Sequence, residues 1–245
     1  MRDFQSQNQR FEQQPGWQQP GAWGNLGTET AAQASVAERM GFVRKVYALF
    51  FAATLFAIGG VWLGLSFEPL LQFAYEHPFV MLFVMLGGVM GAQAVRHVPG
   101  VNLAALFGFT TLTGVVISPL IHVLLRINPG SILAAGVLTV GIFGGLTAYV
   151  FVTKKDFSFM RGMLMTGLVV VILAGVANIF LGASALGFAV AAATLLLFSG
   201  FVLYDTSNII RRYPTNEYIA GALSLYLDAF NIFLALLRIL NSRRD

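Results

Sequence analysis

Long apolar segments separated by short polar ones make up nearly all of the chain after residue 42. Because about 20 mostly apolar residues, rising 1.5 Å each, cross the hydrocarbon core of a bilayer, such segments are typical of membrane-spanning helices. The pattern predicts an all-α membrane protein, a bundle of seven transmembrane helices with short loops. The predicted spans are residues 46–67, 78–95, one between 96 and 126, 131–153, two within 162–204, and a last one from about 217 to 240.

Glycines and prolines mark the boundaries and bends of several predicted spans. The third span begins after Pro99 and Gly100, and Pro119 predicts a kink within it. The uncharged segment 162–204 is twice as long as one span requires, and Gly182 offers the turn that divides it. Glycines with GxxxG spacing let helix backbones approach closely in lipid, and we interpret them as ordinary packing faces. The pairs are Gly60/Gly64, Gly87/Gly91 and Gly141/Gly145.

The composition agrees with a membrane location and excludes several other classes. Of the 245 residues, 57% are hydrophobic and 11% are charged, whereas an average soluble domain has about 25% charged residues. The net charge is +4, but the 15 Lys and Arg residues are scattered at hydrophobic boundaries without a basic stripe, so we expect no nucleic acid binding. The chain has no cysteine, which excludes disulfides, thiolate metal sites and cysteine nucleophiles.

Residues 1–40 differ from the rest of the chain. They contain eight glutamines, several glycines and prolines, and no apolar period of either 2 or 3.6 residues. This composition is typical of a disordered, solvated segment. An apolar run followed by a small-residue cleavage site is missing there, so we expect no secretory signal peptide. We therefore divide the chain into a disordered Gln-rich N-terminal tail, residues 1–40, and a seven-helix transmembrane domain, residues 41–245.

Lys and Arg residues predict the orientation of the bundle, because cytoplasmic loops retain positive charge. With a cytoplasmic N-terminus, nine of them lie on the inner side of seven spans and four lie on the outer side. Three of those four are at the C-terminus, where a re-entrant last segment would keep them inside. Residues 217–240 are long enough to cross, however, and we prefer seven spans. The predicted location is the inner membrane of the cell. The four outer residues are Arg126, Arg238, Arg243 and Arg244.

No arrangement typical of a soluble enzyme occurs in the sequence. His77, His97 and His122 lack the HExxH spacing and the thiolate neighbours of a zinc site, and we interpret them as interfacial or packing residues. A P-loop and a GxSxG motif are both missing, so nucleotide hydrolysis and serine hydrolase chemistry are not expected. We expect no enzymatic activity and no cofactor.

Two aspartates lie where carboxylates are costly. Asp205 ends the sixth apolar segment, and Asp228 lies near the centre of the seventh. An acid inside a membrane is unfavourable unless it is protonated, paired or hydrated, and it is therefore a candidate functional residue. The two helices are neighbours through a short loop, and at 1.5 Å per residue the depths of the two acids differ by roughly 6 Å. A modest tilt would bring the carboxyl groups together.

Two carboxyl groups in one low-dielectric site cannot both ionise cheaply, so we expect Asp205 and Asp228 to share a proton. The singly protonated pair would be a hydrogen-bonded latch between helices, and the fully ionised pair would repel itself open. Arg96 is the expected countercharge, and Asn178 and Asn231 are expected to extend the network. The alternative is that each aspartate only caps a helix or hydrogen-bonds within the interior of the bundle.

At these residues the sequence resembles the bacterial branch of the Bax inhibitor/YccA-like family, the transmembrane Bax-inhibitor-motif proteins. The matching segments are GFVRKVY at 41–47, LYDT at 203–206, YLDAFNIF at 226–233 and LRIL at 237–240. The resemblance covers the chain from about residue 40 to its C-terminus. It implies a seven-helix bundle with the last helix at the centre and, in some members, a pH-sensitive calcium leak sensed by two aspartates.

The sensor aspartates of the resembled family correspond to Asp205 and Asp228, and their neighbours Tyr204 and Tyr226 are supporting polar residues of the expected site. The family's basic latch residue corresponds to Arg96, which is followed here by a histidine in place of further arginines. We expect no high-affinity metal site, because Ca²⁺ takes about six to eight oxygen ligands and the pair supplies too few. Weak binding of Ca²⁺ is what conduction requires.

Two other functions stay open beside the calcium leak. Relatives in the resembled family are implicated in modulating a membrane-anchored ATP-dependent protease and in suppressing cell death, so the alternative is a regulator that acts by protein–protein interaction. The N-terminal tail favours it, since a processive protease needs an unstructured end to grasp. The third function is intramembrane aspartyl proteolysis, which a paired acid would suit. Asp228 argues against it, because it lacks the glycine-flanked motif of such proteases.

Overall fold

A computed structural model describes residues 35–242. Within this range the chain forms eight α-helices and one short 3-10 turn, with no β-strand. The prediction of an all-α membrane bundle is confirmed. The helices are α1 (Val36–Ser66), α2 (Glu68–Glu76), α3 (Pro78–Ala94), α4 (Val101–Ile127), α5 (Pro129–Thr153), α6 (Arg161–Leu181), α7 (Ser184–Arg211) and α8 (Tyr218–Asn241), and the 3-10 turn is Ser158–Met160.

The predicted second span is not a simple helix. Helix α3 has 17 residues, and α2 precedes it at a bend of 98°. Pro78 is the first residue of α3, and because proline has no amide N–H and disfavours helical geometry in the residue before it, α2 ends at Glu76. Six helices of the described range are long and apolar enough to cross a membrane alone, and α2 with α3 makes a seventh span only if the bent pair counts as one.

Helix α1 begins well before the predicted start at residue 46. Ser35 and Glu38 form a capping box, in which the Glu38 N–H donates to Ser35 Oγ at 3.3 Å and the Ser35 N–H donates to the Glu38 carboxylate at 3.0 Å. The predicted boundary between tail and transmembrane domain, after residue 40, therefore falls inside α1. The rest of the predicted tail, residues 1–34, lies outside the described residues, as do Arg243 and Arg244.

Helix α4 continues through Pro119 from end to end. Proline cannot donate a backbone hydrogen bond, so the carbonyl group four residues earlier, that of Val115, loses its usual partner. The hydroxyl group of Ser118 donates to this carbonyl oxygen at 2.8 Å. A side chain thus replaces the missing backbone donor, as is common in membrane helices.

The predicted turn at Gly182 is confirmed. Gly182 has a φ of 60° and ends α6, and α7 begins two residues later. The left-handed region costs glycine little because it has no Cβ. The uncharged segment 162–204 is thereby divided into two antiparallel helices.

The last helix, α8, is the most enclosed span of the bundle. Of its most apolar 18-residue window, 67% is buried, against 6% for the window in the α6 region. Helix α8 packs against α1, α4, α5 and α7, whereas α6 packs mainly against α7. A polar group on α8 is therefore surrounded by protein, while α6 lies at the edge of the bundle.

One of the three GxxxG pairs lies at a tight helix contact. Gly60 and Gly64 of α1 face α4, where a Cβ on Gly60 would collide with the backbone of Thr111. Gly114 of α4 completes the contact, since its Cβ would collide with the backbone of Ala57. Small residues thus let α1 and α4 approach to backbone contact. The glycines of the other two pairs have open space around them; they are Gly87, Gly91, Gly141 and Gly145.

We expect Gly114→Ala to lower the free energy of unfolding by about 1–3 kcal/mol, because the new methyl group forces α1 and α4 apart. Gly108→Ala is the matched control on the same helix, with open space around its Cα, and its gain in helix propensity should keep stability unchanged or raise it. Thermal unfolding in one detergent measures both. Equal unfolding midpoints for the two variants would contradict the tight contact.

Candidate functional site

The two predicted aspartates meet at the contact between α7 and α8. A side-chain hydrogen bond joins Asp205 and Asp228. Asp205 is half-buried, whereas Asp228 is 3% exposed and its Oδ2 is buried without a partner. Two carboxyl groups share a hydrogen bond only when one of them carries a proton. The geometry therefore requires at least one proton on the Asp205–Asp228 pair.

The short loop between α7 and α8 holds the two helices side by side. The N–H groups of Arg212 and Tyr213 both donate to the carbonyl oxygen of Asn208, at 2.6 and 2.9 Å, and so close the end of α7. The N–H of Glu217 donates to the carbonyl oxygen of Pro214 at 2.9 Å, immediately before α8 begins. This tight turn makes the helices antiparallel neighbours and brings the two acids together across them.

Tyr213, in that loop, lies close to the aspartate pair. Its hydroxyl group shares a hydrogen bond of 3.3 Å with Ser224. Burial, and then the nearby carboxyl group of Asp205, raise the pKa of Tyr213 to about 12. The phenol therefore stays protonated at neutral pH. It is available near the pair as a hydrogen-bond donor and not as a base.

Arg96, the expected countercharge, pairs with a different acid. Its Nε lies 3.5 Å from Oε2 of Glu217, and Nε2 of His97 lies 3.3 Å from Oε1 of the same carboxylate. Glu217 immediately precedes α8, about 15 Å along the helix from Asp228. Glu217 thus holds Arg96 at the end of the bundle, although hydropathy marked Glu217 only as the start of a span. The cluster thus consists of Arg96, His97 and Glu217, and the histidine next to Arg96 was the one sequence feature that pointed to it.

A further ion pair lies at the same end of the bundle, which we call the Arg96 end. Arg212 Nη2 donates to Asp156 Oδ2 at 2.9 Å. The backbone N–H of Ser158, and then Arg212, lower the pKa of Asp156 to about 2. Across residues 35–242 the ion pairs are confined to these clusters, so no cation lies within 4.0 Å of the aspartate pair.

Asn178 and Asn231 do not extend the network of the aspartates. Asn231 Nδ2 donates to the carbonyl oxygen of Leu227, one turn back on its own helix, at 2.8 Å. Asn178 lies near the opposite end of the bundle, which we call the Arg238 end, beside Gly187. The expectation for these two residues is therefore corrected, because one bonds to its own backbone and the other is at a different depth.

Tyr226 connects the central helix to α4. Its hydroxyl group and that of Thr113 share a hydrogen bond in which both side chains are buried. Thr113 Oγ1 also donates to the carbonyl oxygen of Thr110 at 2.7 Å, so the Tyr226 hydroxyl is the donor to Thr113. Tyr226 thus fixes α8 against α4 two residues before Asp228, without touching a carboxyl group.

A cavity of about 430 Å³ opens at the Arg96 end. Tyr204 and Asn208, which flank Asp205 on α7, line it together with Tyr213, whereas the aspartates themselves do not. Asn208 is 6% exposed, and its Oδ1 is buried without a partner. The cavity therefore borders residues next to Asp205 along α7 without being lined by either aspartate.

The described residues contain no group of three or more His, Asp or Glu side chains that could hold a metal ion. The aspartate pair alone offers two carboxyl groups in one place. Such a pair suits transient contact with a cation rather than a saturated Ca²⁺ site, which takes about six to eight oxygens.

Comparison with known proteins identifies the family. A family model described as "Inhibitor of apoptosis-promoting Bax1" matches residues 39–245. The chain belongs to this family. It is 37% identical to an uncharacterized protein of Campylobacter jejuni, over 82% of this chain and 88% of that protein. It is also 34% identical to Protein lifeguard 4 of Mus musculus, over 86% of this chain and 89% of that protein.

This Bax inhibitor family member is a multi-pass membrane protein with relatives in bacteria, animals and viruses. The Golgi anti-apoptotic protein of Vaccinia virus is 34% identical over 88% of this chain and 91% of that protein. The family recognition made from the four sequence segments is confirmed.

We expect Thr113→Val to destabilise this family member more than Tyr226→Phe does. Without Thr113 Oγ1, the buried Tyr226 hydroxyl has no acceptor and costs about 1–3 kcal/mol, whereas without the Tyr226 hydroxyl, Thr113 still donates to its own helix and the loss is about 1 kcal/mol. Thermal unfolding in one detergent measures both. A larger loss for Tyr226→Phe would contradict this assignment of donor and acceptor.

Proposed function

We propose that this Bax inhibitor family member is a pH-sensitive leak for cations, including Ca²⁺, gated by the Asp205–Asp228 pair. The observation that carries the proposal is the hydrogen bond between two acids on adjacent helices, one of which is on the central helix α8. Ionisable residues inside a membrane are rare and mark ion pathways and proton relays.

In the closed state, the pair holds one proton. The hydrogen bond then latches α8 to α7, and the Tyr226–Thr113 bond holds α8 to α4 from the other side. The cavity at the Arg96 end is lined by Tyr204, Asn208, Tyr213 and Glu217 but by neither aspartate. A cation entering it therefore meets the Glu217 carboxylate, which is paired with Arg96, and not the Asp205–Asp228 pair.

In the open state, the shared proton is lost. Two carboxylates about 4 Å apart repel each other by about 4 kcal/mol at an effective dielectric constant of 20. This repulsion replaces an attractive hydrogen bond and acts against the packing of α7 on α8. Separation of α7 from α8 exposes the carboxylate oxygens to the cavity. A cation is attracted there but is held by few ligands, and it therefore leaves easily.

Two acids offset part of the positive charge at the Arg96 end, where Arg161 also lines the cavity. Glu217 compensates Arg96, and Asp156 compensates Arg212. Since the pKa of Asp156 is lowered to about 2, this acid stays ionised over the physiological range and contributes no gating there. We propose that the Arg96 end faces the cytoplasm of the cell and that the membrane is the inner one.

In liposomes loaded with a calcium dye, we expect the leak to rise with pH by up to about tenfold per unit while one proton is lost from the pair. Asp228→Asn and Asp205→Asn should each stay at the low-pH rate when the pH is raised. An amide still hydrogen-bonds the remaining carboxyl group, and no second charge develops. The measurement is the initial rate of dye response from about pH 5 to about pH 8, which brackets neutrality.

Two variants control for other titrating groups. Glu76→Gln removes an exposed acid on α2, where Glu76 hydrogen-bonds Gln72, and it should leave the pH profile unchanged. His97→Gln removes the imidazole that contacts Glu217 and should also keep the profile. If both aspartate variants kept the wild-type profile, or if His97→Gln abolished it, the pair would not be the gate.

The second candidate function is regulation through contact with another protein, such as a membrane-anchored ATP-dependent protease. It is favoured by the name of the Vaccinia virus relative, an anti-apoptotic protein, and by the Gln-rich composition of residues 1–34. It predicts a function for the N-terminal segment that is separable from the leak.

Deletion of residues 2–34 separates the two candidate functions. It keeps Ser35 and Glu38, and with them the capping box that begins α1, so the bundle should keep its unfolding midpoint and its leak. Loss of co-purification with the protease would support regulation. Unchanged co-purification would contradict a role of this segment in binding.

A further inference from the structure

A second cavity, of about 700 Å³, lies at the Arg238 end of the bundle. Residues of α4, α6, α7 and α8 and of the turn between α6 and α7 line it. It is separate from the aspartate pair, since Arg238 is ten residues, about 15 Å, further along α8 than Asp228. Nothing in the proposed leak uses this cavity.

Two hydrogen-bond donors converge on one point of this cavity. The position that a Cβ on Gly187 would occupy lies 2.7 Å from Arg238 Nη2 and 3.1 Å from Asn178 Nδ2. Glycine at 187 thus leaves room for the guanidinium and amide groups of two other helices to come together over the backbone of α7. A guanidinium group with a second N–H donor beside it is an arrangement that binds phosphate or carboxylate.

Arg238 has no acid to compensate it within the described structure. The ion pairs of residues 35–242 are all at the Arg96 end. The guanidinium group is charged at any physiological pH, and a charge at the edge of the hydrocarbon region requires a partner. The positive charge of Arg238 is therefore not compensated within the cavity, and we expect a bound ligand to supply the negative charge.

The depth of the donors matches that of a lipid phosphate. Arg238 and Asn178 each lie three residues before the end of their helix, and Gly187 lies three residues after the start of α7. At 1.5 Å per residue, all three are about 4.5 Å inside the helix ends. Helix α8 is about 36 Å long and the hydrocarbon core about 30 Å thick, so this level is the boundary between headgroups and acyl chains.

Much of the remaining cavity wall is apolar, although Ser184, Asn241 and Ser242 also line it. Leu120 and Leu124 of α4 face Leu234 and Leu237 of α8 across it. Because α6 packs mainly against α7 and stands at the edge of the bundle, the space between α4 and α6 opens sideways toward lipid. An arginine at the membrane boundary complements the phosphate of a phospholipid, and the leucines deeper in the bundle complement its acyl chains.

We propose that this cavity is a binding site for one anionic phospholipid, whose phosphate group contacts Arg238 and Asn178 and whose acyl chain lies along the four leucines. The remaining polar atoms favour a headgroup with hydroxyl groups. Asn178 Oδ1 is buried without a partner, and Ser184 lines the same space. A glycerol headgroup, as in phosphatidylglycerol, donates hydrogen bonds to such acceptors, whereas a choline headgroup has no donor.

Native mass spectrometry of the purified full chain tests the site. Protein stripped of lipid in detergent is titrated with phosphatidylglycerol or phosphatidylcholine, and the fraction with one bound lipid is measured. We expect phosphatidylglycerol to bind more tightly to the wild-type chain. Arg238→Gln should weaken that binding about tenfold, the loss typical of one hydrogen bond to a charged group. Arg126→Gln, at the same end but outside the cavity lining, should not change it.

Gly187→Ala is a second variant that keeps every charge. Its methyl group occupies the point where the two donors converge, so it should weaken phosphatidylglycerol binding, as Arg238→Gln does. Gly136→Ala, with open space around its Cα, is the matched control. This variant also covers the case in which Arg238→Gln fails to fold.

Three results would overturn the proposal. If phosphatidylglycerol bound equally to wild type, Arg238→Gln and Gly187→Ala, the lipid would not bind in this cavity. Equal binding of the two lipids by the wild-type chain would show that charge does not select the occupant. Inorganic phosphate that bound the lipid-free chain with the same dependence on Arg238, and displaced phosphatidylglycerol, would make a free anion the ligand in place of a lipid.

Discussion

A hydrogen bond between two carboxyl groups, on α7 and on the enclosed helix α8, is the constraint around which the polar groups of this bundle are arranged. An unpaired, ionised Asp228 on the most buried helix would be energetically unfavourable. Its hydrogen-bond partner is a second carboxyl group, that of Asp205, and not a cation. An arginine partner would neutralise the charge permanently, whereas a second acid makes the contact depend on one proton. The contact is therefore kept while the pair holds at least one proton, and repulsion opposes it when both acids are ionised.

The two ends of the bundle differ in how they balance charge. At the Arg96 end two arginines have acidic partners, while Arg161 lines the same cavity without an ion pair in the described chain. At the Arg238 end the guanidinium group has no acidic partner in the described chain and faces a cavity lined partly by leucines. The two ends thus differ in whether acidic side chains accompany the arginines.

Rigidity and mobility are distributed unevenly among the helices. Helices α1 and α4 are in backbone contact through Gly60 and Gly114, and the Tyr226–Thr113 bond fixes α8 against α4. Helix α6 packs mainly against α7. Helix α8 also packs extensively against α7, so a separation of these two helices must disrupt that packing as well as the contact between the aspartates.

The class of fold, most of the spans, the turn at Gly182 and the two acids could be predicted from the sequence, because hydropathy, glycine and an acid within an apolar segment are local features of the chain. The sequence also contains the capping box at Ser35, a serine followed three residues later by a glutamate, which the apolar pattern alone did not reveal. The pairing of Arg96 with Glu217, and the bond of Asn231 to its own helix, became apparent only in the folded bundle. A polar side chain chooses its partner by distance across helices, and that distance depends on helix rotation, tilt and close approach, which no local pattern specifies.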